Sequence, residues 1–249
     1  MMTFPINNYS FSPLQISTLV GCWEATNPLG NGTLPANNSS LSTWVDSSKS
    51  GNHFAQATGG NQPTFKLAQV NGRPAIQFVS ANPSSMTATS TNLPTGANAR
   101  TFIHVVKYTT VATQQYLLVY GNHSSVGNLY SLGNYNGGSG SQRSFVDSES
   151  RFIIGNTALT TSPTKIINIY SGGNISTSTM SVNNTNQTLT VTSNGVLNTA
   201  AGTTLKIGDR DDISVPFNGM ICAIYAFSGV LTGIPLAQMN NYILNIWGV

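Results

Sequence analysis

Seven carboxylates are all the acid this chain offers for chemistry: Glu24, Asp46, Asp147, Glu149, Asp209, Asp211 and Asp212. Hydrolysis of a glycosidic bond needs two of them beside the bond, one as acid and one as nucleophile or base. Asp147 and Glu149 have the spacing that puts both on one face of a strand, but no third acid follows. The segment SFVDSESRF reads equally well as the polar edge of a hairpin. Asp209, Asp211 and Asp212 form the densest acidic cluster, and hard oxygen ligands on a loop suit calcium. The competing reading is a solvated turn in which Arg210 pairs locally. Asp46, with Ser47, Ser48 and Asn52 close by, has the chemistry to cap the backbone N–H groups of a turn.

Sugar recognition asks for aromatic rings beside amide and glycine hydrogen bonders. The stretch NLYSLGNYNGG supplies Tyr130, Asn134, Tyr135 and Asn136 on an expected loop, and these are the candidate glycan contacts. An ordinary strand edge with half-buried tyrosines is the alternative. The histidines, His53, His104 and His123, stand far apart, and His104 lies within an apolar run, as a satisfied core or strand-face residue would. No serine sits in a G-x-S-x-G nucleophile elbow.

The elements that must hold these residues read as short strands. LVGCWEA (19–25), PAIQF (74–78), TFIHVVKY (101–108) and YLLVYGN (116–122) are apolar runs bounded by turn residues. A Gly- and Ser-rich stretch, 133–141, reads as an exposed loop. RFIIG, KIINIY, TMSVN, TLTVT, TLKIGDR and MICAIYAFSGVL continue the rhythm, with SVNNTNQTL as a hairpin. Asn71-Gly72 and Asn218-Gly219 both read as tight turns. Leu236, Met239, Ile243, Ile246 and Trp247 recur at helical spacing after Pro235, and Gly248 closes that helix. Residues 1–15 read as an irregular arm with Phe4, Tyr9 and Phe11 as anchors, and 16–249 as one domain with no internal repeat.

Composition narrows the partners. Charged residues are 7% of the 249, against about a quarter in ordinary globular proteins, and the ten Lys and Arg are scattered. A surface that tracks phosphates needs clustered cations, so nucleic acid is not an expected partner. No stretch approaches the roughly 20 apolar residues of a membrane span. The N-terminal residues lack a basic region followed by a long apolar core, so no secretory signal is expected. An outward-facing protein would then leave its cell by another route, such as release within a virus particle. Cys22 and Cys222, one near each end, are expected as small buried hydrophobes, with a disulfide left open.

Two long segments carry a family resemblance. TWVDSSKSGNHFAQATGGNQPTF followed by VNGRPAIQF, and LKIGDRDDISVPFNGMICAIYAFSGVLTGIPLAQMNNYILNIWG, resemble the concanavalin A-like lectin/glucanase superfamily in its laminin-G-like branch. LVGCWEA matches the first strand of that branch, of the form x-W-x-x-A. The resemblance implies an all-β, two-sheet antiparallel jelly-roll sandwich with a short C-terminal helix, and calcium as the cofactor several branches bind. The glucanases of that superfamily carry their acids as Glu-x-Asp-x-x-Glu, which this chain lacks. The expectation is therefore a non-catalytic recognition or assembly module. It would bind a glycan or other protein subunits, as an oligomer or attached to a larger particle such as a phage virion, where it would serve as a decoration or receptor-binding protein. A glycoside hydrolase or lyase of the same fold, and a pure scaffold without a small ligand, stay open as alternatives.

Overall fold

The computed structural model describes residues 11–81, 84–123, 125–136, 142–147, 150–210 and 215–249, with only the backbone described at 136 and 142–147. The first half folds as β1 (Leu19–Glu24), β2 (Thr43–Trp44), β3 (Phe54–Ala55), β4 (Thr64–Val70), β5 (Arg73–Phe78), β6 (Met86–Thr89), β7 (Arg100–Tyr108), β8 (Gln115–Gly121) and β9 (Leu129–Asn136). The second half adds β10 (Gln142–Asp147), β11 (Phe152–Ala158), β12 (Thr164–Tyr170), β13 (Thr179–Val182), β14 (Thr185–Asn186), β15 (Leu189–Thr192), β16 (Thr204–Ile207) and β17 (Gly219–Phe227). Helix α1 (Gly233–Trp247) ends the chain, and Gly248 caps it at φ 74° in the left-handed region.

The strands form two antiparallel sheets. The eight-stranded sheet runs β14-β13-β12-β7-β17-β5-β4, with β1 also paired to β17. Strand β17 meets β7 along its whole length, while its other edge is shared end to end by β5 and β1. The nine-stranded sheet runs β15-β11-β10-β9-β8-β16-β6-β3-β2. The fold is thus the expected two-sheet jelly-roll sandwich with a C-terminal helix.

Alternation along each strand puts one set of side chains between the sheets. Trp23 reaches across to Phe54, ring centroids 5.1 Å apart, and Phe102 stacks on Tyr130 at 5.3 Å. Strand β17 is buried almost throughout, because the second sheet covers one face and α1 packs on the other. The helix stripe expected from sequence is real: Met239, Ile243 and Trp247 are buried. Trp23 pairs with Ile224, and Glu24 and Tyr225 each follow one of them, so alternation points Glu24 and Tyr225 away from the second sheet. Glu24 Oε1 accepts hydrogen bonds there from Tyr225 Oη (2.5 Å) and from Tyr242 Oη of α1 (2.9 Å).

Several sequence expectations need correction. The stretch 133–141 is not one loop, since 133–136 complete β9 and β10 starts at Gln142. Asn71 and Gly72 do make the tight turn, with φ of 49° and 71°. Gly219 does not: it opens β17, and it is glycine because a Cβ would lie 2.5 Å from the Lys107 carbonyl oxygen. His104 is buried but not satisfied, as neither ring nitrogen has a partner among the described residues. Burial pulls its pKa down to about 3, so the imidazole is neutral. Cys22 and Cys222 are both buried and free.

Of the segment expected as an arm, residues 11–15 lie against the domain. Pro13 is buried in a single turn of 3-10 helix, and the Phe11 ring meets Tyr242 edge-on at 6.1 Å. Among the described residues no helix is long and apolar enough to cross a membrane.

Candidate ligand-binding face

Strand β9 decides which candidate contacts meet solvent. Its period of two sends Tyr130, Leu132 and Asn134 between the sheets and Tyr135 to the outer face of the nine-stranded sheet. Tyr130 is 1% exposed, and Arg100 holds its guanidinium carbon 4.9 Å from that ring's centroid. Burial pushes the Tyr130 phenol far above its ordinary pKa. Asn134 is fully buried, and neither atom of its amide has a partner among the described residues. Asn136 ends β9 and pairs with Gln142, and its side chain lies outside the described residues. Of the four, Tyr135 is the described side chain that faces outward.

Around Tyr135 the sheet carries a second apolar cluster, separate from the core. Tyr116, Val119 and Leu129 are its buried members, and Tyr135, Phe152, Ile154 and Val215 are its half-buried ones. The Tyr135 and Phe152 rings lie 5.9 Å apart at 34°. Exposed Thr190 and Thr192 of β15 pair with Ile154 and Phe152 and flank the cluster on one side.

Polar groups converge on the other side. The Tyr116 hydroxyl accepts from Gln114 Nε2 (3.1 Å) and from Arg210 Nη1 (3.0 Å), and the Arg210 guanidinium carbon stands 5.1 Å from the Tyr116 ring. Arg210 is placed by its neighbour. Asp209 Oδ1 accepts from the backbone N–H of Arg210 (2.8 Å) and of Val215 (3.1 Å), which closes the loop after β16. Its Oδ2 lies 3.8 Å from Lys206 Nζ. Gly208, at φ 90°, turns the chain into this loop, and a Cβ there would strike the Phe78 ring at 2.5 Å.

The described part of the expected calcium cluster is therefore a loop closure. Asp211 and Asp212 lie outside the described residues, and among the described residues no three acidic, histidine or cysteine side chains gather as a metal site. Asp147 closes β10 with only its backbone described, and Glu149 lies outside the described residues. The three carboxylates whose side chains are described are each engaged elsewhere. Glu24 holds two tyrosines, and Asp209 closes its loop. Asp46 accepts from the backbone N–H groups of Ser48 (2.9 Å), Asn52 (3.0 Å) and Cys22 (2.9 Å). That is the expected turn cap, extended to pin β1.

Sequence reasoning missed Tyr116, Phe152 and Arg210. A signal for the first two was present, because YLLVYGN and RFIIG are apolar at consecutive positions. A strand with one wet face alternates, whereas a consecutive apolar run marks a strand with something to cover on both faces.

No protein-family model matches the sequence, and no curated protein matches it. Solved structures do match in fold. Domain 4 of AbnA, a GH43 extracellular arabinanase from Geobacillus stearothermophilus solved with arabinotriose, is 14% identical at a TM-score of 0.57. That likeness covers 90% of this chain and 97% of that one. A GH54 α-L-arabinofuranosidase is 16% identical at TM-score 0.56, over 81% of this chain and 50% of that one. The binding domain of botulinum neurotoxin serotype G is 10% identical at 0.54, over 91% and 51%. At such identities the likeness establishes the β-sandwich architecture.

Proposed function

We propose that this protein is a non-catalytic carbohydrate-recognition module of laminin-G-like type that binds a glycan on the outer face of its nine-stranded sheet. The observation that carries the reading is the partly exposed ring pair Tyr135–Phe152 next to the Arg210–Tyr116–Gln114 hydrogen-bond group. Ring faces offer an apolar platform for the C–H face of a sugar, and convergent polar groups fix its hydroxyls. A structural neighbour solved with arabinotriose supports that choice of probe. The absence of the Glu-x-Asp-x-x-Glu pattern from the sequence supports binding without cleavage.

An outward-facing setting, such as a virion surface, goes with this proposal, and the low charge of the chain supports it. Calcium at Asp209, Asp211 and Asp212 is part of the same proposal, because a cation there would stiffen the loop that carries Arg210.

Titration calorimetry with arabinotriose and a panel of neutral oligosaccharides, with calcium and again with chelator, tests the reading. Saturable binding that weakens at least about tenfold in Tyr135→Ala and in Phe152→Ala is the expected result. Binding that ignores both substitutions, or a folded protein that binds no member of the panel, overturns it. Loss of binding with chelator would support the calcium arm, and no change would remove it.

A further inference from the structure

The face of the eight-stranded sheet that carries α1 has a groove of its own, of about 160 Å³. Strand β12 contributes Ile167 and Ile169, α1 contributes Leu236 and Asn240, and the β13–β14 hairpin contributes Ser181 and Asn184. Register explains why these meet. Ile167 pairs with Ser181 and Ile169 with Thr179, so all four residues share one face. Thr179, Met180 and Asn186 also line a second hollow, of about 380 Å³, beside the edge strand β15. A hollow of that size falls within the range of about 300–1,000 Å³ in which small ligands are held.

The lining is amide, hydroxyl and aliphatic, and among the described residues no charged side chain lines either space. A charged ligand would find no counter-charge there. A purely apolar ligand would leave the amides dry, and one of them is already short of a partner. Asn240 Oδ1 is buried with no hydrogen-bond partner among the described residues. An acceptor in that condition is unfavourable until a donor reaches it. Asn184 and Asn186 are exposed at the turn, with their amides on the rim. Aliphatic surface, hydroxyls and amides without charge suit a ligand that is neutral, carries many hydroxyls and presents one C–H-rich face.

We propose that this groove is a second saccharide site, separate from the Tyr135 face, which takes one or two neutral sugar units with a sugar hydroxyl donating to Asn240 Oδ1. The ligand class rests on the carbohydrate-recognition reading, while the location rests on the groove itself. Two sites on different sheets would let one chain hold two branches of a glycan, or two glycans.

The test is an NMR titration of the full ¹⁵N-labelled chain with arabinotriose, and separately with glucose, galactose, mannose and xylose, up to about 10 mM. The expected result is saturable shifts of the Asn184, Asn186 and Asn240 side-chain amides. Asn240→Leu, which removes that acceptor, should weaken the Asn184 and Asn186 shifts at least about tenfold and leave the shifts around Tyr135 and Thr190 in place. Asn186→Ala, at an exposed position, gives a second variant whose fold is secure. Side-chain amides that stay still with every sugar, or that shift equally in the variants, overturn the second site alone if the Tyr135 face still responds. Silence of both faces overturns the carbohydrate reading as a whole.

Discussion

The rings of Tyr135 and Phe152 lie 5.9 Å apart although β10 separates the strands that carry them. Each side chain leans over the intervening strand, so the pair ties β9 to β11 without a backbone bond between them. A double-mutant cycle in urea should show a coupling of about 0.5–1.5 kcal/mol between Tyr135→Ala and Phe152→Ala. Strict additivity would mean that the rings sit side by side without holding each other.

Glu24 predicts an unusual dependence of stability on pH. Burial raises its carboxyl pKa, and the hydrogen bonds from Tyr225 and Tyr242 offset that only in part. A carboxyl whose folded pKa exceeds its unfolded value favours the fold at low pH. That contribution is full below the ordinary glutamate range and is lost as pH rises through the raised value. Glu24→Gln keeps an acceptor for both hydroxyls but cannot ionise. Melting curves from pH 4 to pH 8 should show the wild type losing stability across the window relative to Glu24→Gln. Parallel curves would show that Glu24 does not titrate there.

Gly219 and Gly60 make a matched pair. A Cβ at Gly219 would meet the Lys107 carbonyl oxygen at 2.5 Å, and both partners are backbone of paired strands. Gly219→Ala should therefore destabilise by about 1–3 kcal/mol, measured as a lower urea midpoint. A Cβ at Gly60 meets nothing within 4 Å, so Gly60→Ala should stay within about 0.5 kcal/mol of the wild type.

Arg100 is a fully buried cation held by neutral groups. It donates to Tyr120 Oη (2.9 Å), Thr199 Oγ1 (2.9 Å), Gly96 O (2.8 Å) and Asn98 O (3.1 Å), with the Tyr130 and Tyr170 rings at 4.9 and 5.4 Å. Lysine has one nitrogen to serve four acceptors that a fork reaches at once. Arg100→Lys should cost about 2–4 kcal/mol and loosen the 92–99 loop, read as lost hydrogen-exchange protection at Gly96. Unchanged protection there would mean that Thr199 alone anchors the loop.

Strands that are apolar along their length were legible in the sequence. The runs for β1, β7, β12 and β17 stand out because both faces of the eight-stranded sheet are covered there. The stripe of α1 was legible for the same reason. Strand β9 was not, since NLYSLGNYN has the Asn and Gly of a turn, and only its neighbours β8 and β10 make it extended. That misreading put Tyr130, Asn134, Tyr135 and Asn136 on one surface, when a strand divides Tyr130 from Tyr135 by face. Arg100 was invisible as a core residue, because its acceptors come from residues as distant as Thr199.

Strand β17 has three partners, β7 along one edge and β5 and β1 sharing the other. Among the described strands it is also the last in chain order. During synthesis the eight-stranded sheet is therefore in two halves, β14-β13-β12-β7 on one side and β1, β5 and β4 on the other, and they have no central member until residue 227 has left the ribosome. Closure awaits the synthesis of β17, and contacts of such long sequence separation make it slow. Until then the growing chain holds open sheet edges, which are exposed to pairing with other chains.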